Sequence, residues 1–212
     1  MIIIWAPYDS ATAERLTISL QEKIGEQKVS RIKQKAAKIP PSAFVVNWGS
    51  SSSPAGALNY AFKGSDKLEQ LIQLSKAFVP VPKFTTELPG QAGWLARKKQ
   101  HVDGTDLEVD GISGDYYTKI MTCPREFRVH SFKGKSILLG ERRPKLLKHH
   151  PYIRTMSRGW DIHYPTMVAS KDPIGLDLRI KLRELAHQAV KAVSYDFGAV
   201  DILADPQRSY LP

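Results

Sequence analysis

The hydrophobic pattern of the chain begins with a strand followed by a helix. Residues 2–5 form a short β-branched apolar run that is typical of a buried strand, and residues 11–24 repeat apolar positions at helical spacing. After Pro40, residues 44–46 predict a second buried strand, which enters a loop of small residues at 47–54. A loop that follows a buried strand is a common ligand position in an α/β layer, although serine-rich loops are more often plain connectors.

The middle of the chain predicts one helix and two strands. Ser65 is a candidate N-cap for a helix that ends before Pro80. Residues 94–97 and 116–121 have the composition of strands, and the polar loop 98–106 separates them.

The clearest local signal is a β-hairpin. Residues 126–132 alternate between polar and apolar side chains, Lys133-Gly134 forms a tight-turn pair, and apolar residues return at 136–139. Since side chains on a strand alternate between faces, Phe127 and Val129 are predicted on one face. The opposite face is predicted to carry Glu126, Arg128 and His130.

The last third of the chain predicts a loop, a helix and a strand. Residues 144–171 are rich in Pro, His and Arg, and we expect an irregular, mobile loop there. Asp172-Pro173 is typical of a helix start, and apolar positions at helical spacing follow as far as Val193. Residues 197–203 predict a strand that points Asp201 away from its apolar neighbours. A turn at 205–207 follows, and the sequence ends where a return strand begins at 209–212.

The charge of the chain is concentrated in one segment. The 212 residues carry a formal net charge of +10, and residues 119–158 contain eleven Lys and Arg against only two Glu. Such a concentration favours a polyanionic partner, which is either a nucleic acid or a phosphorylated ligand. A solvated surface without a ligand is the simpler alternative.

Composition also limits the cellular setting. A single cysteine, Cys123, excludes an internal disulfide and fits a reducing interior. No apolar run approaches the ~20 residues of a membrane span, and the N-terminal residues lack the pattern of a signal peptide. We therefore expect a cytoplasmic protein without a membrane partner.

The chemistry-bearing motifs leave few possibilities. The sequence has no GxxxxGK[ST], no GxGxxG and no HExxH, so a Walker loop, a Rossmann fingerprint and a zinc protease have no support. Asp201, together with the clustered cations, matches what a Mg²⁺–polyphosphate complex requires, namely oxygen ligands for the ion and Lys or Arg for the phosphates. From spacing alone, an exposed acid on a strand face is the more economical interpretation of Asp201.

The order of these pieces resembles the ATP-grasp superfamily, in particular its carboxylate–amine ligase-like members in phages and bacteria. The resemblance rests on four stretches within residues 59–212, namely SDKL at 65–68, GWLAR at 93–97, YTKI with REFRV between 117 and 129, and YDFGAVDI at 195–202. It implies an α/β fold in which a small N-terminal lobe, 1–62, precedes two α+β subdomains that enclose ATP. These subdomains are expected at 63–115 and 116–212.

The resemblance also assigns the nucleotide contacts. Lys67 and Arg97 would contact phosphates, and Arg97 stands where lysine is usual, which replaces a point charge by a planar fork. Gly104 belongs to the phosphate-covering loop, which contains fewer glycines than is usual, and Glu126 would accept hydrogen bonds from the ribose. The hinge that meets adenine through backbone groups would comprise Lys119, Ile120 and Met121.

The reacting end of ATP is assigned in the same way. Arg128, with Arg142 or Arg143, would face the polyphosphate or an acyl phosphate, and Asp201 would bind Mg²⁺. A Glu and an Asn that normally complete the metal site would follow Pro212, so we expect the sequence to be truncated rather than degenerate.

The implied function is an ATP-dependent ligase with Mg²⁺ as cofactor and with small carboxylate and amine substrates, in a bacterial cell or a phage-infected host. The alternatives are a degenerate nucleotide-binding protein, or a non-catalytic module that binds nucleic acid through residues 119–158. A ligase that acts on a modified nucleic acid would combine the two.

Overall fold

The computed structural model describes residues 1–6, 10–32, 38–50, 53–60, 66–99, 106–123, 125–145, 148–164 and 174–204. The chain divides into two compact units. Unit 1 comprises Met1–Ser65 with Ser194–Asp196, and unit 2 comprises Asp66–Val193 with Phe197–Pro212. A further boundary near residue 115 stays a prediction. Within the described ranges, no helix combines the length and the apolar character needed to cross a membrane.

Unit 1 is a parallel sheet with one helix. Its elements are β1 (Ile2–Trp5), α1 (Ala11–Ile24), β2 (Val29–Ile32) and β3 (Phe44–Asn47), and the strand order is β2-β1-β3. The predicted strands and helix are present, whereas β2 was not predicted because its polar residues interrupt the apolar pattern. A reciprocal pair of hydrogen bonds joins Asn59 to Asp196, since each backbone N–H donates to the other side chain at 2.7 Å.

The first part of unit 2 is a helix and a small antiparallel sheet. Its elements are α2 (Lys67–Lys76), β4 (Phe84–Thr85), β5 (Trp94–Arg97), β6 (Glu108–Val109) and β7 (Tyr116–Lys119), in the strand order β4-β7-β5-β6. The N-cap of α2 is Asp66 rather than Ser65, because the Asp66 carboxylate accepts hydrogen bonds from the N–H groups of Leu68 and Glu69.

The second part of unit 2 is an antiparallel sheet backed by the longest described helix. Its elements are β8 (Arg125–Phe132), β9 (Lys135–Pro144), β10 (Trp160–His163), α3 (Leu176–Ala192) and β11 (Phe197–Ala204), in the strand order β10-β9-β8-β11. The prediction of an irregular segment at 144–171 is wrong at β10, which pairs with the end of β9 and buries Trp160. The N-cap of α3 is Gly175, whereas Asp172-Pro173 lies outside the described residues.

The two faces of this second sheet differ, as the hairpin alternation predicted. Phe127 and Val129 are fully buried and pack with Leu182 and Ala186 of α3. Burial of large apolar side chains of this kind contributes roughly 1.5–3 kcal/mol each. Because α3 covers this face, the polar residues of β8 and β11 lie on the opposite, open face, where the candidate site is found.

Candidate functional site

Charged side chains form two adjacent rows on the open face of the second sheet. In the first row, Arg142 Nε lies 2.7 Å from Glu126 Oε1. In the second row, Arg128 pairs across the sheet with Asp201 on one side and with Gly140 on the other. The Asp201 carboxylate lies 3.6 Å from Arg128 Nη1 and 3.5 Å from Arg142 Nη2, so Arg142 links the two rows.

The Glu126 carboxyl group has a strongly perturbed proton affinity. Its side chain is 12% exposed, and burial raises its pKa to about 7. Arg142 and Arg154 act in the opposite direction, whereas the negative charge of Asp201 adds to the rise. The desolvation of the carboxylate therefore outweighs its two ion pairs, and the group changes charge close to neutral pH.

A further arginine, Arg154, belongs to this cluster and was not assigned a role from the sequence. Its Nε lies 3.9 Å from Glu126 Oε2, its guanidinium group stacks 4.9 Å from the centre of the Trp160 ring, and Nη2 donates to the Cys123 carbonyl oxygen. Among the residues that the structure describes, its buried Nη1 has no hydrogen-bond partner. The only sequence signal was membership of the basic segment, because the placement of Arg154 depends on the pairing of β10.

The small sheet supplies a second set of cations. Arg97 pairs with Tyr116 across β5 and β7, and its Nε donates to Thr118 Oγ1 at 2.7 Å. Burial lowers the pKa of Arg97, although Tyr116 and Glu126 act against this shift. Because the hydrogen bond to Thr118 uses only Nε, other N–H groups of the guanidinium can bind an anion.

Lys67, the first residue of α2, connects the two sets. Burial lowers the pKa of its ammonium group, the charge of Asp201 opposes this effect, and the charges of Arg128 and Arg97 reinforce it. Lys67 therefore interacts with residues of both sheets of unit 2. The structure thus brings together the sequence-predicted residues Lys67, Arg97, Glu126, Arg128, Arg142 and Asp201.

Arg143 is not brought to this cluster. Strand alternation places it on the other side of β9 from Arg142, where its Nη2 lies 2.8 Å from Glu141 Oε2. Arg125 Nε contacts the other oxygen of Glu141 at 2.6 Å. Burial alone would raise the pKa of Glu141, but the hydrogen bonds from Arg125 and Arg143 prevail and lower it. Of the two arginines left open by the sequence, Arg142 is the one beside Arg128.

The side chain of Lys119 also points away from the cluster. Lys119 lies opposite Trp94 on the neighbouring strand, and its Nζ lies 5.3 Å from the centre of the Trp94 ring. The same Nζ donates a hydrogen bond to the Ala92 carbonyl oxygen. The backbone N–H groups of Lys119 and Ile120 already donate to carbonyl oxygens within the small sheet. A backbone contact with adenine would therefore use carbonyl oxygens or Met121, and Gly104 lies outside the described residues.

The described residues suit a cation that is held partly by the phosphates of a nucleotide better than a metal ion that is held by protein ligands alone. In the described part of the chain, no three His, Cys, Asp or Glu residues are close enough together to hold an ion. The Asp201 side chain is nevertheless 43% exposed on the open face. Since Mg²⁺ in nucleotide sites is held by one or two carboxylates together with phosphate oxygens, Asp201 suits this role.

Comparisons with known proteins identify the fold. Neither a family model nor a curated protein sequence matches the chain. Among solved structures, D-alanine–D-alanine ligase from Bacillus anthracis is similar with a TM-score of 0.61 and 13% identity, over 97% of this chain and 83% of the ligase.

Two further similar structures were solved as complexes with a precursor. The ATP-grasp ligase PsnB, complexed with minimal precursor, Mg and ADP, gives a TM-score of 0.59 at 12% identity, over 97% of this chain and 84% of PsnB. The macrocyclase MdnC from Microcystis aeruginosa MRC, bound with precursor peptide MdnA, gives 0.55 at 10% identity, over 97% of this chain and 88% of MdnC. The chain therefore has the ATP-grasp fold that the sequence resemblance implied.

Proposed function

We propose that this protein is an ATP-dependent ligase that activates a carboxylate as an acyl phosphate and transfers the acyl group to an amine. The observation that carries this proposal is the cluster of Lys67, Arg97, Arg128 and Asp201 in a chain with the ATP-grasp fold. The cations of this cluster come from two sheets and from the start of α2, and together they outnumber the nearby carboxylates. A polyphosphate is the class of ligand that would neutralise their excess positive charge.

Each residue then has a chemical task. Lys67 and Arg97 bind phosphate oxygens, the former as a point charge and the latter through its planar fork. Glu126 accepts hydrogen bonds from ribose hydroxyl groups, and its ionised form is the better acceptor. Arg128 and Arg142 face the transferred phosphoryl group once they exchange Asp201 for phosphate oxygens.

Asp201 would hold Mg²⁺ together with phosphate oxygens, and the ion would supply neutralisation of charge on the polyphosphate. Arg128 and Arg142 provide the counter-charge of the Asp201 carboxylate. If they turn to phosphate oxygens, the ion would replace them as the counter-charge, so the carboxylate would not be left unpaired.

The bonds that change are the same as in other phosphoryl-activated acyl transfers. A carboxylate oxygen of the acid attacks the γ-phosphorus, and the bond to the β–γ bridging oxygen breaks to release ADP. The amine nitrogen then attacks the acyl carbon, the C–O bond to phosphate breaks, and the amine proton passes to solvent. The protein contributes positioning and preorganised positive charge to both steps.

Nucleotide binding tests the proposal directly. Calorimetric titration of the full chain with Mg²⁺ and a non-hydrolysable ATP analogue is expected to show saturable binding. Removing the charged hydrogen bonds of Arg97 with Arg97→Ala should weaken binding about 10- to 100-fold. Asp201→Ala should abolish the dependence of binding on Mg²⁺.

Arg143→Ala is the matched control, because Arg143 lies in the same basic segment but pairs with Glu141 away from the cluster. Its affinity for the analogue should equal that of the wild type. A wild-type protein without affinity for Mg²⁺–nucleotide overturns the proposal. Equal losses in Arg97→Ala and Arg143→Ala would mean that nonspecific charge, and not this cluster, binds the ligand.

A further inference from the structure

A third row on the open face consists, among the described residues, of an alanine, a histidine and a leucine. It lies next to the row of Arg128 and Asp201, and strand pairing aligns Ala199 of β11, His130 of β8 and Leu138 of β9. Leu138 is 44% exposed although its side chain is apolar. The open face therefore changes within one row from paired charges to an uncovered apolar surface.

Tyr164 extends this surface beside β9. Its hydroxyl group lies 3.1 Å from His130 Nε2, and its ring covers Gly140, where an added Cβ would come 2.7 Å from Tyr164 Cε1. We call His130, Leu138, Tyr164 and Ala199 the apolar wall. The absence of a side chain at Gly140 is what allows the aromatic ring to lie against the sheet.

The electrostatic surroundings of His130 disfavour its charged form. Burial lowers its pKa, the positive charge of Arg128 on the same strand lowers it further, and Asp201 on β11 opposes both effects. The described residues that face His130 also include the phenol ring of Tyr164 and the aliphatic side chains of Leu138 and Ala199. A substrate group that lies against the wall therefore contacts the apolar side chains of Leu138 and Ala199, the ring of Tyr164 and an imidazole whose charged form is disfavoured.

We propose that the apolar wall receives the side chain of the acid substrate, and that this acid is a monocarboxylate with an aliphatic or aromatic group next to its carboxyl group, such as an apolar amino acid. This inference rests on the proposed function. The carboxylate would be oriented by Arg128 and Arg142, and the apolar group would then fall on the adjacent row. A second charged group at that position would lose water without meeting an opposite charge.

The affinity of the apolar wall for an apolar group determines how strongly the protein prefers an apolar acid over a polar one. The surface formed by Leu138 and Tyr164 is exposed, so its contact with an apolar substrate removes apolar area of both partners from water. In a hydrophobic pocket, one methylene group discriminates between substrates by roughly 10- to 200-fold. Pairs of acids that match in shape but differ in polarity should therefore separate by at least about tenfold.

Hydroxylamine capture tests this without knowledge of the amine. The full chain is incubated with Mg²⁺, ATP and hydroxylamine, which converts an acyl phosphate to a hydroxamate, and ADP and hydroxamate are both measured. The acids are leucine against asparagine and valine against threonine, each free and N-acetylated. We expect the apolar member of each pair to have the higher kcat/KM.

Variants connect that preference to the wall. Leu138→Gln should reduce the ratio of leucine to asparagine toward one, and Ala199→Gln on the neighbouring strand should do the same. Ile180→Gln on α3 is the matched control, since Ile180 is 43% exposed and lies on the helix that covers the other face. Circular dichroism verifies that each variant is folded.

Three results would overturn the proposal: a preference for the polar acid of either pair, no hydroxamate from any acid although Mg²⁺–nucleotide binds, and equal ratios in Leu138→Gln, Ala199→Gln and the wild type. Each of these leaves the nucleotide site intact. A chain that does not bind Mg²⁺–nucleotide contradicts the proposed function itself, so the two failures are distinguishable.

Discussion

Replacement of Glu126 by glutamine should make the free energy of unfolding less dependent on pH. Burial raises the pKa of Glu126 from its ordinary 4.5 to about 7, so the folded state favours the protonated carboxyl group. The stabilisation that this group provides is fully present below its ordinary pKa and is lost as the pH rises through about 7. At about 1.4 kcal/mol per pH unit, the loss amounts to about 3 kcal/mol.

The measurement is the free energy of unfolding of the wild type and of Glu126→Gln in urea, at pH values from about 4.5 to 8. Because glutamine does not titrate, subtracting the curve of the variant removes the contribution of the other ionisable groups that the two proteins share. Relative to the variant, the wild type should become less stable by about 3 kcal/mol across this range. Carboxyl-carbon NMR of Glu126 would report the same titration directly.

Glu141→Gln is the control with the opposite sign. Hydrogen bonds from Arg125 and Arg143 lower the pKa of Glu141, so its stabilisation is present above its ordinary pKa and is lost as the pH falls. The wild type should exceed this variant in stability at neutral pH, and the difference should shrink in acid. If the stability of the wild type relative to Glu126→Gln stays constant, or increases with pH, the reasoning about burial is refuted.

Three further substitutions have expected effects on stability that thermal and urea denaturation can measure. Gly140→Ala should cost roughly 1–3 kcal/mol, because an added Cβ would come 2.5 Å from Ile162 Cγ2, whereas Gly198→Ala, with 3.8 Å of clearance, should change little. Asp66→Ala removes the N-cap of α2 and should cost about 1 kcal/mol, with an equal loss in Asp66→Leu but not in Asp66→Asn. Leu182→Ala in the core beneath the second sheet should cost about 2–5 kcal/mol, and a loss below 1 kcal/mol would contradict the packing described for α3.

Local pattern was sufficient to predict the hairpin and the face that carries the site. The alternation in β8 identifies Phe127 and Val129 as core residues, and this places Glu126 and Arg128 on the opposite face. The order of the four motifs was sufficient to predict the ATP-grasp fold. Both inferences depend on short-range periodicity, which tertiary packing did not alter here.

Residues whose positions depend on strand pairing could not be predicted in this way. Arg142 and Arg143 are adjacent, and only the register of β9 against β8 determines which of them faces Arg128. Arg154 is brought to Glu126 by a segment whose strand, β10, has no clear periodicity in the sequence. The outward turn of Lys119 likewise follows from its pairing with Trp94.

The basic segment at 119–158 is less available to a polyanion than its charge indicated. Among the residues that the structure describes, four carboxylates from within and beyond the segment pair with six of its cations, which are Arg125, Arg128, Arg142, Arg143, Lys145 and Arg154. Nucleic-acid binding through this segment stays a prediction, and it would need to compete with these internal partners.

The reciprocal hydrogen bonds between Asn59 and Asp196 have a consequence for how the polypeptide is made. Asn59 lies within Met1–Ser65, whereas its partner follows α3 and lies 137 positions later in the sequence, so unit 1 is assembled from two separate segments. A ribosome that has released only residues 1–65 has not yet synthesised Asp196. Unit 1 can therefore reach its final hydrogen bonding only after Asp196 has emerged, and a fragment of residues 1–65 would lack it.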